Sequence, residues 1–167
     1  MLLRATVHYA ADPARVAAMM ADEEFVAARV RAAGAHPHGV AVVGGPASAF
    51  TVTSRRQVAT AGIPAQFRPL VGSSLEVREV EAWEGVDGEG RVGTLVAEIV
   101  GAPVRLTGSL RLTADGAGAS TVQVEADLRA TVPIFGSAIE QAAARSVARI
   151  VAAEEHAGAQ WLGRARA

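Results

Sequence analysis

Residues 104–130 read VRLTGSLRLTADGAGASTVQVEADLRA, and the alternation inside this stretch decides the fold. Leu106, Leu110 and Leu112 alternate with Arg105, Thr107, Ser109, Arg111 and Thr113; Val122, Val124, Ala126 and Leu128 alternate with Gln123, Glu125, Asp127 and Arg129. A period of two puts each set on its own face of a strand. One face is wet, which an antiparallel sheet tolerates and a doubly covered parallel sheet does not. Ala114-Asp115-Gly116-Ala117-Gly118 supplies the turn between the two strands. Pro133 and Gly136 end the second strand, and from Ser137 the period becomes 3.6. Ile139, Ala143, Val147, Ile150, Ala157 and Trp161 fall on one helical face, with Arg145, Arg149, Glu155 and His156 opposite. About 25 residues of helix span roughly 37 Å at 1.5 Å per residue, enough to cross six or seven strands.

Upstream of this stretch the same two periods recur. Leu3, Ala5, Val7 and Tyr9 alternate with Arg4, Thr6 and His8 in a half-buried first strand. Asp12-Pro13 offers an N-cap and an N1 proline for a helix to about Met20, with Val16, Met19 and Met20 as its apolar stripe. Asp22-Glu23-Glu24 opens a second short helix, striped by Phe25, Val26 and Val30 and closed by Gly34. Strands then follow at Val40–Val43, from Phe50 through Val58, at Leu75–Trp83, and from Gly93 to Ile99. Gly62 to Gly72, with Pro64, Phe67 and Pro69, is irregular and is expected to form a lid or portal loop. One strand, two short helices, a strand series and one long helix predict a curved antiparallel sheet of six or seven strands around the C-terminal helix. The chain is expected to be one domain over residues 1–167.

Several segments carry a resemblance: Ala21-Asp22-Glu23, Leu75-Glu76-Val77 running on to Glu81-Ala82-Trp83, Gly101-Ala102-Pro103, and Val132-Pro133-Ile134-Phe135-Gly136 followed by Glu140. With the element order, they resemble the actinobacterial family of unknown function known as DUF2505. The arrangement as a whole resembles the helix-grip fold of the START and Bet v 1-like (SRPBCC) superfamily. The superfamily resemblance implies a ligand cavity between sheet and long helix, in proteins that bind lipids, sterols or polyketides or cyclise polyketides. The family resemblance brings no catalytic residue with it.

Composition narrows the chemistry. Half of the residues are hydrophobic, 20% are charged and only 4% are aromatic, so small aliphatic side chains fill the interior and leave room for a ligand. A net charge of −1 without a basic block gives nucleic-acid binding no support. There is no cysteine, which excludes disulfides, thiol catalysis and thiolate metal sites; there is no lysine, which excludes Schiff-base chemistry. The N-terminus alternates instead of forming a signal peptide, and no run of about 18 uncharged apolar residues exists. A cytoplasmic location, no integral membrane segment and no cofactor are expected.

Candidate motifs are weaker. Gly88-Glu89-Gly90-Arg91-Val92-Gly93 matches a dinucleotide fingerprint, but a strand follows it where that fingerprint needs a helix, so it reads as a hairpin turn. His36-Pro37-His38 lacks a third metal ligand and reads as a strand edge; no metal is expected. Glu79, Glu81 and Trp83 share one face of a strand. If that face lines the cavity, its carboxyls become acid–base candidates; the favoured expectation puts one or both on the wet face. Arg56, on the face of Phe50 and Val52, holds a ligand anion, pairs with an internal Glu, or snorkels from the strand end. Glu154 falls near the edge of the long helix's apolar face, and Tyr9 needs a hydroxyl partner if buried. The candidate cavity set is Val7, Tyr9, Val52, Arg56, Glu81, Trp83, Leu95, Leu110, Val124, Ile150 and Glu154. No residue is expected to be catalytic.

These readings favour binding or carriage of a small hydrophobic or amphipathic molecule. A polyketide cyclase or aromatase-like enzyme on the same fold is the alternative, and a protein-interaction module with a closed cavity is the third. The polarity of the interior discriminates: a cyclase needs polar groups converging at one depth, a lipid carrier needs few.

Overall fold

The computed structural model describes residues 1–59, 74–88, 90–116, 118–133 and 136–164, so the expected portal loop at 62–72 lies outside the described residues. The elements run β1 (Leu2–Tyr9), α1 (Pro13–Met20), α2 (Glu23–Ala32), β2 (His36–Gly44), β3 (Phe50–Ala59), β4 (Ser74–Trp83), β5 (Arg91–Ile99), β6 (Val104–Ala114), β7 (Ser120–Ala130) and α3 (Gly136–Arg164). The seven strands form one antiparallel sheet in the order β1-β7-β6-β5-β4-β3-β2. β2 extends N-terminally past the expected Val40–Val43 because His36 and Pro37 pair with Gln57 and Arg56 across a bulge before Gly39.

Local chemistry starts and stops the helices. The Asp12 carboxylate accepts from the Arg15 N–H at 2.9 Å, with Pro13 at N1. The Asp22 carboxylate accepts from Glu24 N–H at 2.8 Å and Phe25 N–H at 3.3 Å. The two sheet edges are blunted by helix-borne carboxylates: Glu155 of α3 accepts from the His8 N–H of β1, and Glu23 of α2 from the Val42 N–H of β2.

Strand register lines the inner face up in rows. One row runs Phe50, Trp83, Gly93, Leu110, Val124, Ala5; the next Val52, Glu81, Leu95, Gly108, Ala126, Leu3; the next Ser54, Glu79, Ala97, Leu106, Leu128. Over one end of this face α1 and α2 lay Val16, Met19, Met20, Phe25 and Val26, all buried, and Val7, Tyr9, Val52, Leu95 and Leu110 are buried against that core. Toward the other end cover thins. Val58, Leu75, Val77, Ile99 and Leu106 of the sheet and Ile139, Ala143 and Val147 of α3 are only partly buried.

Helix α3 departs from expectation at one position. Ile150 was expected to face inward and be buried; it is 49% exposed. It lies on the same helical flank as the buried Ala157, seven positions on. The covering helix explains the difference: α2 reaches α3 at Trp161 through Phe25 and at Glu154 through Arg29, then ends at Ala32. Periodicity gives a side chain its direction, but a neighbouring element must supply its cover.

Candidate functional site

Five elements bring charged or polar side chains to one place on the inner face. β4 contributes Glu79, Glu81 and Trp83; β3 contributes Ser54 and Arg56; α2 contributes Arg29, α3 Glu154 and β1 Tyr9. Glu79 and Glu81 both point inward, which corrects the favoured expectation that one or both lie on the wet face. The polar partners on the outer face are real, for Arg78 pairs in register with Arg55 and Glu98. They belong to the opposite parity from Glu79 and Glu81.

Arg29 is the hub. Its Nη2 donates to Glu81 Oε1 at 2.5 Å and lies 3.8 Å from Glu79 Oε1, and its Nη1 donates to Glu154 Oε1 at 3.3 Å. Glu81 Oε2 accepts from the Trp83 indole N–H at 3.1 Å, and the Tyr9 hydroxyl donates to Glu154 Oε1 at 3.0 Å. Arg56 Nη2 donates to Glu79 Oε2 at 2.8 Å, and its Nη1 to the Ser54 hydroxyl at 3.4 Å. Arg56 therefore takes the internal-Glu alternative among its sequence readings. Side-chain exposure rises across the cluster from 8% at Glu81 to 17% at Glu79 and 21% at Arg56. The cluster is deepest under α2 and opens toward the thinly covered end.

Close packing fixes the geometry. A Cβ at Gly158 would stand 2.5 Å from Tyr9 Cε1, so only glycine lets α3 press on that ring. At Gly93 a Cβ would meet the Trp83 indole at 3.2 Å, so the missing side chain makes the bed for the ring.

Burial and charge act against each other here. Burial pushes the Glu81 carboxyl up, Arg29 pulls it down, and Glu79 and Glu154 push it up again; the outcome lies above the usual carboxylate range. Burial also pushes Glu79 up, but Arg56 and Arg29 together outweigh it and hold that carboxyl below its usual range. Burial would lower Arg29, yet Glu81, Glu154 and Glu79 outweigh it and hold the guanidinium firmly charged. Burial, then the Glu154 charge, raises the Tyr9 phenol well above its usual value, so it remains a hydrogen-bond donor.

Of the candidate residues, the structure gathers Tyr9, Arg56, Glu81, Trp83 and Glu154 into this one cluster. Val7, Val52, Leu95 and Leu110 are buried in the apolar core beside it, Val124 is partly buried against that core, and Ile150 is exposed. Arg29 and its central role were missed. Its signal was present: Arg29 sits at i+4 from Phe25 and i+3 from Val26, inside the apolar stripe of α2. Two open clefts lie elsewhere. One, of about 300 Å³, runs past Asp87, Arg91 and Thr113, and one of about 380 Å³ runs past Arg4, Arg111 and Glu125; neither includes a residue of the cluster. Among the described residues no group of three or more His, Asp or Glu is arranged to hold a metal. No described helix is long and apolar enough to cross a membrane.

Known structures share this arrangement. The protein TTHA0849 from Thermus thermophilus superposes with a TM-score of 0.60 at 18% identity, covering 95% of this chain and 97% of its own. A START superfamily protein from Mycobacterium smegmatis gives 0.54 at 15% identity, covering 93% and 94%. The Zhui aromatase/cyclase from Streptomyces sp. R1128 gives 0.57 at 16% identity, covering 99% and 93%. At these identities the likeness establishes the fold, the helix grip of START and Bet v 1-like proteins. No curated protein matches the sequence. The family model described as "Protein of unknown function (DUF2505)" matches residues 4–162, nearly the whole chain, and the chain belongs to that family.

Proposed function

We propose that this protein is a cytoplasmic, single-domain carrier of a small amphipathic molecule, bound between the inner face of the sheet and α3. The apolar body lies on the half-buried aliphatic rows, and the polar end meets the Arg29–Glu81 cluster. One observation carries the reading: along the inner face, a closed apolar core gives way to a charged cluster and then to aliphatic side chains that keep solvent access. An amphipathic molecule is the complement of that sequence of surfaces. Burying about 300 Å² of ligand apolar area yields about 7 kcal/mol gross, before the costs of association. Micromolar or weaker affinity and broad selectivity for the apolar body follow.

The test is twofold. Native mass spectrometry of freshly purified protein is expected to show a retained small molecule. N-phenyl-1-naphthylamine, a neutral polycyclic probe, is expected to bind, and Ala143→Trp, which adds a bulky ring at a partly buried position of α3, is expected to weaken it more than about tenfold without lowering the melting temperature. Absence of probe binding, or equal binding by the variant, sinks the reading.

A second reading draws on the raised Glu81 carboxyl. A buried acid poised above its usual range beside an apolar lane suits general acid–base chemistry of the cyclase type. Under that reading Glu81→Gln abolishes turnover of a poly-β-keto substrate and leaves its binding intact.

A further inference from the structure

We propose that the outer face of the sheet, beside the thinly covered end, docks on an anionic lipid bilayer. This rests on the carrier reading above, since an amphipathic cargo leaves by that end, but the docking itself is tested without cargo. It stands on one row of the sheet. Strand register sets Arg55 opposite Arg78, Arg78 opposite Glu98, Glu98 opposite Arg105, and Arg105 opposite Arg129. Cross-strand partners share a face, so four arginines and one glutamate lie in line. Five strands at about 4.8 Å spacing make the row about 19 Å long. All four arginines are exposed. Twice an arginine stands directly opposite an arginine, which destabilises a sheet. Elsewhere the fold pairs its charges: Arg4 donates to Glu125 at 2.8 Å and Arg56 to Glu79 at 2.8 Å. In the row Arg129 leans to Asp127 at 2.7 Å, but among the described residues Arg55, Arg78 and Arg105 form no ion pair.

The acids on this part of the face are Glu98, Asp127 and Glu76, so the patch keeps a positive surplus in a chain whose net charge is −1. The acidic surplus sits at the opposite end of the strands, on Asp22, Glu23 and Glu24 at the start of α2 and on Glu84, Asp87 and Asp115 in the turns. An anionic surface therefore attracts one end of the molecule and repels the other, which orients it. The occupant must also suit the rim of the patch. Val100, in the turn after β5, is 51% exposed, and Leu2, in register with Asp127, is 52% exposed. Thr53, Val80, Val96 and Thr107 fill the adjoining row. A line of guanidiniums on an open strand face gives a small anion one or two partners, whereas a bilayer offers phosphates along its whole length. The same bilayer takes the aliphatic tips, and it is the medium into which an amphipathic cargo partitions.

Co-sedimentation of the full chain with sucrose-loaded vesicles tests this, with phosphatidylcholine alone or mixed with phosphatidylglycerol. The mixed vesicles are expected to bind at least about tenfold more tightly than the neutral ones, and the binding to weaken as salt screens the charge. Arg78→Gln combined with Arg105→Gln removes two charges from the row and is expected to weaken binding at least about tenfold. That double variant also relieves both like-charge oppositions, so its melting temperature is expected to hold or rise. Should it fold poorly, Arg55→Gln alone is expected to weaken binding in the same direction. Arg145→Gln combined with Arg149→Gln removes the same charge from the exposed side of α3 and is expected to leave binding nearly unchanged. Equal binding to the two vesicles, or equal losses in the two double variants, overturns the proposal. Retention on immobilised polyglutamate without vesicle binding also overturns it and assigns the row to an acidic protein. If N-phenyl-1-naphthylamine binds and the vesicles do not, the docking falls and the carrier reading stands; if the vesicles bind and the probe does not, the carrier reading falls and the docking face stands.

Discussion

Glu81 and Glu79 sit two positions apart on one strand and titrate in opposite directions, which gives stability a pH dependence that can be dissected. The folded state holds the Glu81 proton more tightly than the unfolded chain does, so its contribution is present at low pH and is lost as pH rises through its raised value. Glu79 is the reverse: its contribution is present above the ordinary carboxylate range and lost as pH falls below it. Urea unfolding across pH is expected to show a maximum between the two windows. Glu81→Gln is expected to remove the decline above it and Glu79→Gln the decline below it; an unchanged upper limb in Glu81→Gln would contradict the assignment. Gly158 makes a second residue-scale prediction. A methyl there meets the Tyr9 ring at 2.5 Å, so Gly158→Ala is expected to cost about 1–3 kcal/mol by overpacking, although alanine is the better helix former. A stabilised Gly158→Ala would mean that the ring does not rest on the helix.

Among the elements, α3 is one helix with two environments. Its C-terminal half buries Ala157, Gly158 and Leu162 and is locked to α1, α2 and β1. Its N-terminal half buries no side chain fully and leaves Ile150 at 49% exposure. Leu162→Ala is therefore expected to cost about 2–5 kcal/mol as a core truncation, and Ile150→Ser to stay within about 0.5 kcal/mol as a surface change. Thermal unfolding of the two variants checks the contrast; equal losses would mean that both halves are packed alike. Helix α2 supplies both the cover and the hub, because the stripe that buries Phe25, Val26 and Val30 also carries Arg29 inward. Its apolar residues were legible as a stripe. The cation among them was not read as part of it, because a hydrophobic pattern scores a buried, paired guanidinium as polar surface.

Among the described residues, one sheet, one long helix and two short helices form a grip closed at one end and thinly covered at the other. A ligand held in such a grip binds only the folded chain, so stability should rise with its concentration. At one hundred times its dissociation constant, N-phenyl-1-naphthylamine is expected to add about 2.7 kcal/mol to unfolding, read as a concentration-dependent shift in melting temperature; a constant melting temperature would deny a site on the native state. The linear chain already carried the element order, the antiparallel sheet, the long closing helix and the family, because period-two and period-3.6 patterns, caps and turn residues are local properties. It also marked Tyr9, Arg56, Glu81, Trp83 and Glu154 as candidates, from parity on their own elements. Folding had to settle that Glu79 and Glu81 face inward, that Arg29 stands between them and Glu154, and that Ile150 lies beyond the cover of α2. The cause is the same in each case. Which face of a strand is dry, whether a charge finds a partner, and where a helix runs out of cover depend on residues more than 20 positions away that only the folded chain brings into contact.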